Sequence, residues 1–294
     1  MSRAGSTGRI LVQLLPRFVQ LKGRGVAGWT VIIGSVLVAS IVVITILAPW
    51  ISPHNPIAIN VGPILAAPTP EFPLGTNHLG QDMLSRIIWG GVTMLQVAVI
   101  SVAVCLAVGL PIGLLATYAG GLPDKVSSLV MDSVYAFPGL VLAIAIAAML
   151  GRGVVNMSVA IAVVYVPSYY RIVRSQVLTV KELPYVEAAR ALGGRSGTIL
   201  FRYVLPNVVP SIVSVATINF ADAILTAAGL TFVGLGLSVA VPDWGWDLTY
   251  GRQLLPAGAW WVITFPGVMI VLLALGFTLI GEGLSEIMSP RLEQ

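Results

Sequence analysis

An all-α, polytopic membrane protein with six transmembrane helices and both termini cytoplasmic is the fold class that this 294-residue sequence predicts. Three observations predict it. Only 10% of the residues are charged and 57% are hydrophobic, whereas a soluble chain carries about a quarter charged residues. Six apolar runs are long enough to span a bilayer, at roughly 20 residues each. Lys and Arg are shared unequally between the loops that those runs define. The mean hydropathy of +0.94 leaves too little polar surface to face water, so the chain belongs in the cell membrane, in contact with lipid.

The runs fall near 28–51, 89–118, 126–150, 154–172, 207–236 and 260–284. Trp29 and Trp50 bracket the first. At about 1.5 Å per residue they lie about 31 Å apart, close to the thickness of the hydrocarbon core. Tryptophans at both ends suit an interfacial belt, and Trp89 and Trp260–Trp261 mark the starts of the second and sixth runs. The first run is too long for the core of a secretory signal, and no small-x-small cleavage site follows it, so it reads as a retained anchor.

Arg3, Arg9, Arg17, Lys22 and Arg24 precede the first run without an acid among them. With that end in the cytoplasm and six crossings, every Lys and Arg except Arg86, Arg152 and Arg252 falls inside. The basic pI of 9.4 therefore reports topology and calls for no nucleic acid. Residues 1–27 form a cytoplasmic tail, 28–288 one membrane domain, and 289–294 a second cytoplasmic tail. Residues 52–88 and 237–259 are the long outside loops, and 173–206 is the long cytoplasmic one. The single cysteine, Cys105, lies in an apolar run and cannot form an intrachain disulfide.

Within that cytoplasmic loop, residues 184–194 read PYVEAARALGG. Pro184 suits the first helical position, and Gly193–Gly194 can end the helix with a left-handed residue. A second short helix is expected from Ser196 to Tyr203, before Leu205–Pro206 reopens the membrane. A helix of about eight residues is marginal alone in water, so something must hold it. Tyr185, Ala188 and Leu192 share one face. Ala188, Ala189 and Gly193 are small enough for a close approach, and Glu187 can pair with Arg190 or with a cation on a partner. Docking to a partner and lying on lipid headgroups both fit this pattern.

Glu187-Ala188-Ala189, Gly193 and Tyr203-Val204-Leu205-Pro206 resemble the EAA loop of ABC importer permeases, with Tyr203 where the pattern has Ile. Pro73-Leu74-Gly75-Thr76, Leu79-Gly80, Asp82 and Leu84-Ser85-Arg86 resemble a segment of the dipeptide and oligopeptide permease branch. Asn77 and Gln81 there replace its usual Asp and Arg. Leu230 to Gly236 resembles that branch's LSFLGLG, with Ala227 where an acid is usual. Trp244-Gly245, Phe265-Pro266-Gly267, Gly281-Glu282-Gly283-Leu284 and Ser289-Pro290-Arg291 also fit. The resemblance covers roughly residues 28–292. It implies a type I ABC importer permease fold, in the second permease subunit of an importer for dipeptides or oligopeptides. It implies as partners a homologous second permease, two ABC ATPase subunits and an extracytoplasmic substrate-binding protein. The site residues it implies for ATPase coupling are Tyr185, Glu187, Ala188, Ala189, Arg190, Leu192 and Gly193.

The three lysines, Lys22, Lys125 and Lys181, sit in no G-x4-G-K-[ST] motif. The chain is therefore expected to be no enzyme and to hold no cofactor, with ATP and Mg bound by the partner ATPases. His54 and His78 lie outside at spacings that match no metal motif, and read as solvated loop histidines. Asp132 sits near the cytoplasmic end of its run. Asp222 is deep, with Asn219 one turn away, and buried carboxylates at such depth face a cavity or a partner. Asp132, Asn219 and Asp222 are thus candidates for the translocation pathway or a subunit interface. Two other readings stay open: a permease of the same class for nickel or another small solute, and an ATP-independent secondary transporter, which would want more intramembrane acids and a repeat.

Overall fold

The computed structural model describes residues 25–236 and 241–288. The basic tail before Gly25, the segment 237–240 and the Ser289-Pro290-Arg291 motif lie outside them. The main elements are α1 Gly25–Ile46, α2 Met83–Ala119, α3 Gly121–Tyr135, α4 Gly139–Leu150, α5 Val154–Val180, α6 Pro184–Ala191, α7 Leu205–Phe232, α8 Trp244–Leu254 and α9 Trp261–Met288. Extended structure among the described residues is confined to an isolated bridge between Thr76 and Asp82.

By length and composition four stretches can cross a membrane: α1, α2, Ser196–Phe232 and α9. The expected third run is a helix pair, α3 and α4, bent by 89°. The break falls at Pro138, whose ring disfavours helical backbone at Phe137. The expected fourth run opens α5, which is long enough, but its second half carries Ser168, Tyr169, Tyr170, Arg171 and Arg174. This measure gives four spans, or five with the bent pair counted as one, against the six that hydropathy alone predicts.

α2 has 37 residues, about 55 Å at the helical rise. It starts well before residue 89 because Asp82 caps it: the carboxylate accepts from the N–H groups of Leu84 and Ser85 at 3.2 and 3.1 Å. α2 packs most extensively on α5. Apolar burial gives helices little reason to associate in lipid, so close packing and interhelical hydrogen bonds must hold the pair. Ser101 Oγ donates to Ser158 O across the contact at 3.2 Å, and Cys105 Sγ approaches Ala162 O at 3.5 Å. A Cβ on Gly109 would lie 2.8 Å from Tyr169 Cβ and 3.0 Å from Val166 O. Gly109→Leu should therefore force α2 from α5 and abolish the monodisperse subunit in size-exclusion chromatography. Gly197→Ala, where a Cβ meets nothing within 4 Å, should elute as the parent.

One end of the bundle is closed by the loop 52–82 and α8. Arg86, 1% exposed, joins α2 to α8: its Nε donates to Asp247 Oδ1 at 2.9 Å and Oδ2 at 3.2 Å. Trp244 Nε1 donates to Ile87 O and Trp261 Nε1 to Thr76 O, each at 2.9 Å. The histidines are loop residues, as the sequence reading has them, but each is only partly exposed and packs on a ring. His54 is half-buried, stacks on Phe72 and places Nδ1 3.4 Å from Asp82 Oδ2. His78 is half-buried against Tyr250 at 4.5 Å, and burial, aided by Arg86, lowers its pKa.

Asp243 caps α8 by accepting from Trp246 N–H at 2.9 Å. Burial pushes its pKa up to about 6, with the Asp247 charge adding to the rise. A folded-state pKa above the unfolded one gives stability that is present in acid and lost as pH rises through about 6. Asp243→Asn keeps the capping oxygen and removes the charge. Its melting temperature, compared with the parent's, should gain as pH is raised from 5 to 8 (scan range of about three units).

Candidate functional site

The far end of the bundle carries α6. Leu183 is its extended N-cap and Pro184 its first residue. Gly193 has φ +78°, a region that favours glycine. Gly193 N–H donates to Arg190 O and Gly194 N–H to Ala189 O, each at 3.0 Å, the paired bonds that end a helix at a left-handed residue. The sequence reading of both ends therefore describes the observed helix. The second helix differs. Ser196–Ile199 passes through a π turn at Leu200–Val204 straight into α7. Leu205 N–H reaches back to Leu200 O. Pro206 has no N–H to offer Arg202 O, which removes one α-helical bond at that turn.

What holds so short a helix is Val186, fully buried. It packs in a cluster with Leu114 of α2, Val173, Val177 and Val180 of α5, and Ile199, Leu200, Val204 and Val208 beyond. Ala189 packs at its edge. Sequence reasoning missed Val186. The signal was its spacing: Val186 and Ala189 are three apart, on a face roughly a quarter-turn round from Tyr185, Ala188 and Leu192.

That leaves Tyr185, Glu187, Ala188, Arg190 and Leu192 exposed, with Leu192 at 89%. Tyr185 Oη touches Tyr203 O at 3.5 Å. Glu187 does not pair with Arg190, and among the described residues it has no ion pair. Glu187 lies in the first turn and Arg190 in the last, where each charge favours the helix dipole. The site is a short helix, ended by its own glycine turn and seated on three long helices. It presents one carboxylate, one guanidinium and an exposed leucine.

The intramembrane candidates are not gathered in one place. Asp132 pairs with Arg171, whose Nη2 lies 2.7 Å from Asp132 Oδ1, while the guanidinium stacks 4.1 Å over the Tyr135 ring. This joins α3 to α5. Asn219 and Asp222 share a stripe of α7. Asn219 is buried, and Asp222 is half-buried with no ion pair among the described residues. Tyr165 of α5 joins that stripe through Thr226 Oγ1 at 2.9 Å.

Residues 109–294 match the family described as binding-protein-dependent transport system inner membrane component. The chain belongs to this family. As a permease of this kind it is a multi-pass membrane protein and a transport component. The family implies ATPase and substrate-binding partners.

The dipeptide transport system permease protein DppC of Alkalihalophilus pseudofirmus is 38% identical to this permease over 276 residues, 94% of this chain and 89% of the relative. The di/tripeptide transport system permease protein DppC of Pseudomonas aeruginosa is 37% identical, covering 88% of each chain. The glutathione transport system permease protein GsiD of Pectobacterium atrosepticum is 40% identical over 75% of this chain and 73% of its own. A solved inward-facing structure of the MetNI methionine ABC transporter matches at TM-score 0.57 and 20% identity, covering 71% of this chain and 98% of that one. It supports the type I importer permease fold, and at that identity it speaks for the fold alone.

Proposed function

We propose that this permease is one of two homologous membrane subunits of an ATP-driven importer for dipeptides or oligopeptides. It forms half of the translocation pathway and takes up the motion of separate ATPase subunits through α6. In this reading both termini and α6 are cytoplasmic, and the layer of loop 52–82 and α8 faces outward, toward an extracytoplasmic substrate-binding protein and the other permease. ATP and Mg are bound by the two ATPase subunits, since no lysine of this chain sits in a phosphate-binding loop.

The observation that carries the reading is the seating of α6. Val186 fixes it to the ends of α2, α5 and α7, while Glu187, Arg190 and Leu192 are left outward. A helix so attached transmits a push to three membrane helices at once. ATPase closure then rocks those helices as a rigid body between outward and inward openings. Peptide cargo is supported by relatives named for dipeptides and di/tripeptides across nearly the whole chain.

The test is co-purification. The subunit, tagged at its C-terminus, is extracted from native membranes in mild detergent, and its companions are identified by mass spectrometry. A second permease and a P-loop ATPase are expected. Recovery alone or as a homo-oligomer, under conditions that preserve such complexes, would turn the assignment toward an ATP-independent transporter.

A further inference from the structure

Between α5 and α7, inside the membrane, lies a polar cluster whose hydrogen bonds are unfinished. Tyr169 Oη and Asn219 Nδ2 are buried and make at most a loose contact with each other, with no hydrogen bond of normal geometry among the described residues. The two side chains face each other, and the Asp222 carboxylate lies within electrostatic reach of both tyrosines, Tyr165 and Tyr169. Asn219 and Asp222 are three residues apart on α7, and Tyr165 and Tyr169 are four apart on α5, so each pair presents one face. Tyr165 is already engaged. Its hydroxyl contacts Thr226 Oγ1 at 2.9 Å and Asp222 O at 3.5 Å, which fixes the backbone that carries the carboxylate.

Polar groups inside a membrane are expensive, and those retained there mark pathways or partners. Buried donors without acceptors are costly as well. What distinguishes the site is its mixed chemistry. It offers one carboxylate, which wants a cation, beside two neutral donors, which want an acceptor. A lone arginine or lysine from another subunit would satisfy the carboxylate and leave Asn219 and Tyr169 unmet. The amino end of a peptide satisfies both, because its ammonium group stands next to its first carbonyl oxygen.

We infer that Asp222, Asn219 and Tyr169 form a subsite for the free amino end of the peptide in the translocation pathway. This rests on the peptide-importer reading and deepens it. Asp222 holds the ammonium group, Asn219 Nδ2 and Tyr169 Oη donate to the first carbonyl, and Tyr165 positions Asp222. The two donors are buried in this state beside the half-buried carboxylate, and they turn to the first carbonyl once the ammonium group is held there.

Substrate-binding proteins select peptides too, so the test leaves that protein out. The complex co-purified with the tagged permease is placed in nanodiscs, and equilibrium binding of radiolabelled alanyl-alanine is measured, with N-acetyl-alanyl-alanine as competitor. The parent complex should bind the free dipeptide and ignore the acetylated one. Asp222→Asn should weaken binding about tenfold to a hundredfold and erase that preference. Asp222→Glu should retain binding, and Tyr169→Phe should weaken it without changing the preference. Equal binding by parent and Asp222→Asn, or equal competition by the acetylated peptide, would overturn the subsite. Loss of the second permease from both Asp222 variants would also overturn it, by making the carboxylate an intersubunit contact. The underlying reading is checked separately by uptake in proteoliposomes with the binding protein present. Peptide uptake by the parent with unchanged uptake by Asp222→Asn removes the subsite alone, whereas no peptide uptake by the parent removes the peptide reading with it.

Discussion

Glu187→Lys is expected to stop ATP-driven uptake while leaving the permease folded, inserted and abundant. The two halves of that expectation have separate causes. Glu187 is exposed and makes no ion pair among the described residues, so the fold loses only a favourable charge at the start of α6, about 0.3–1 kcal/mol. Charge reversal on a docking surface is different. It removes an attractive partner and juxtaposes like charges, at about 2–5 kcal/mol, or about 30-fold or more in affinity. Recovery of the ATPase with the tagged permease, and peptide uptake, should both fall, while size-exclusion behaviour stays that of the parent. Val186→Asp supplies the contrast, because it places a charge in the cluster that anchors α6 and should cost the fold itself. Undiminished uptake and ATPase recovery with Glu187→Lys would remove α6 as the coupling element.

Both ends of α6 were legible in the sequence because its punctuation is local. Proline at the first position and glycine after the last turn are decided by backbone sterics, and no distant residue is needed. The anchor was not legible in the same way. Val186 is buried because Leu114, Val173 and Val177 come to meet it from elsewhere in the chain, and an eight-residue window does not contain them. The apolar face that the window does show, Tyr185, Ala188 and Leu192, is the outward one. The same limit explains the spans. Hydropathy finds a greasy stretch, but it is blind to the bend at Pro138 and to an α2 that starts early under the Asp82 cap.

The motif at residues 73–86 shows how a departure from a pattern becomes intelligible only in three dimensions. Asn77 and Gln81 stand where the resembling permeases carry Asp and Arg, and read singly they look like two unrelated losses. In the structure Asn77 Nδ2 donates to Gln81 Oε1 at 2.8 Å, and Asn77 Oδ1 accepts from the Gln81 N–H at 3.0 Å. The two departures thus meet in space: the amides at these positions pair with each other. Gln81 Oε1 accepts a second bond, from Arg86 Nη1 at 3.1 Å, which a guanidinium at position 81 could not do.

That acceptor matters because Arg86 carries the second large expected effect. Arg86→Ala should leave no stable subunit to purify. The guanidinium donates through Nε to Asp247, through Nη1 to Pro56 O at 3.2 Å and to Gln81, and its Nη2 lies 2.9 Å from Asp247 Oδ1. Three segments distant in sequence, the loop at 56, α2 and α8, meet on one side chain. Both partners of the ion pair are almost fully buried. Removing the arginine strands the Asp247 carboxylate away from water, at about 3–5 kcal/mol, a large share of the 5–15 kcal/mol or so that holds an ordinary domain together. The ion pair itself need not be stabilising relative to an apolar pair of similar volume, because two charges had to be desolvated to form it. Arg86→Met with Asp247→Leu should therefore recover much of the thermal stability that Arg86→Ala loses, measured as the melting temperature of the detergent-solubilised subunit. A double variant as unstable as the single one would show that the bonds to Pro56 and Gln81, and not the stranded charge, are what the layer depends on.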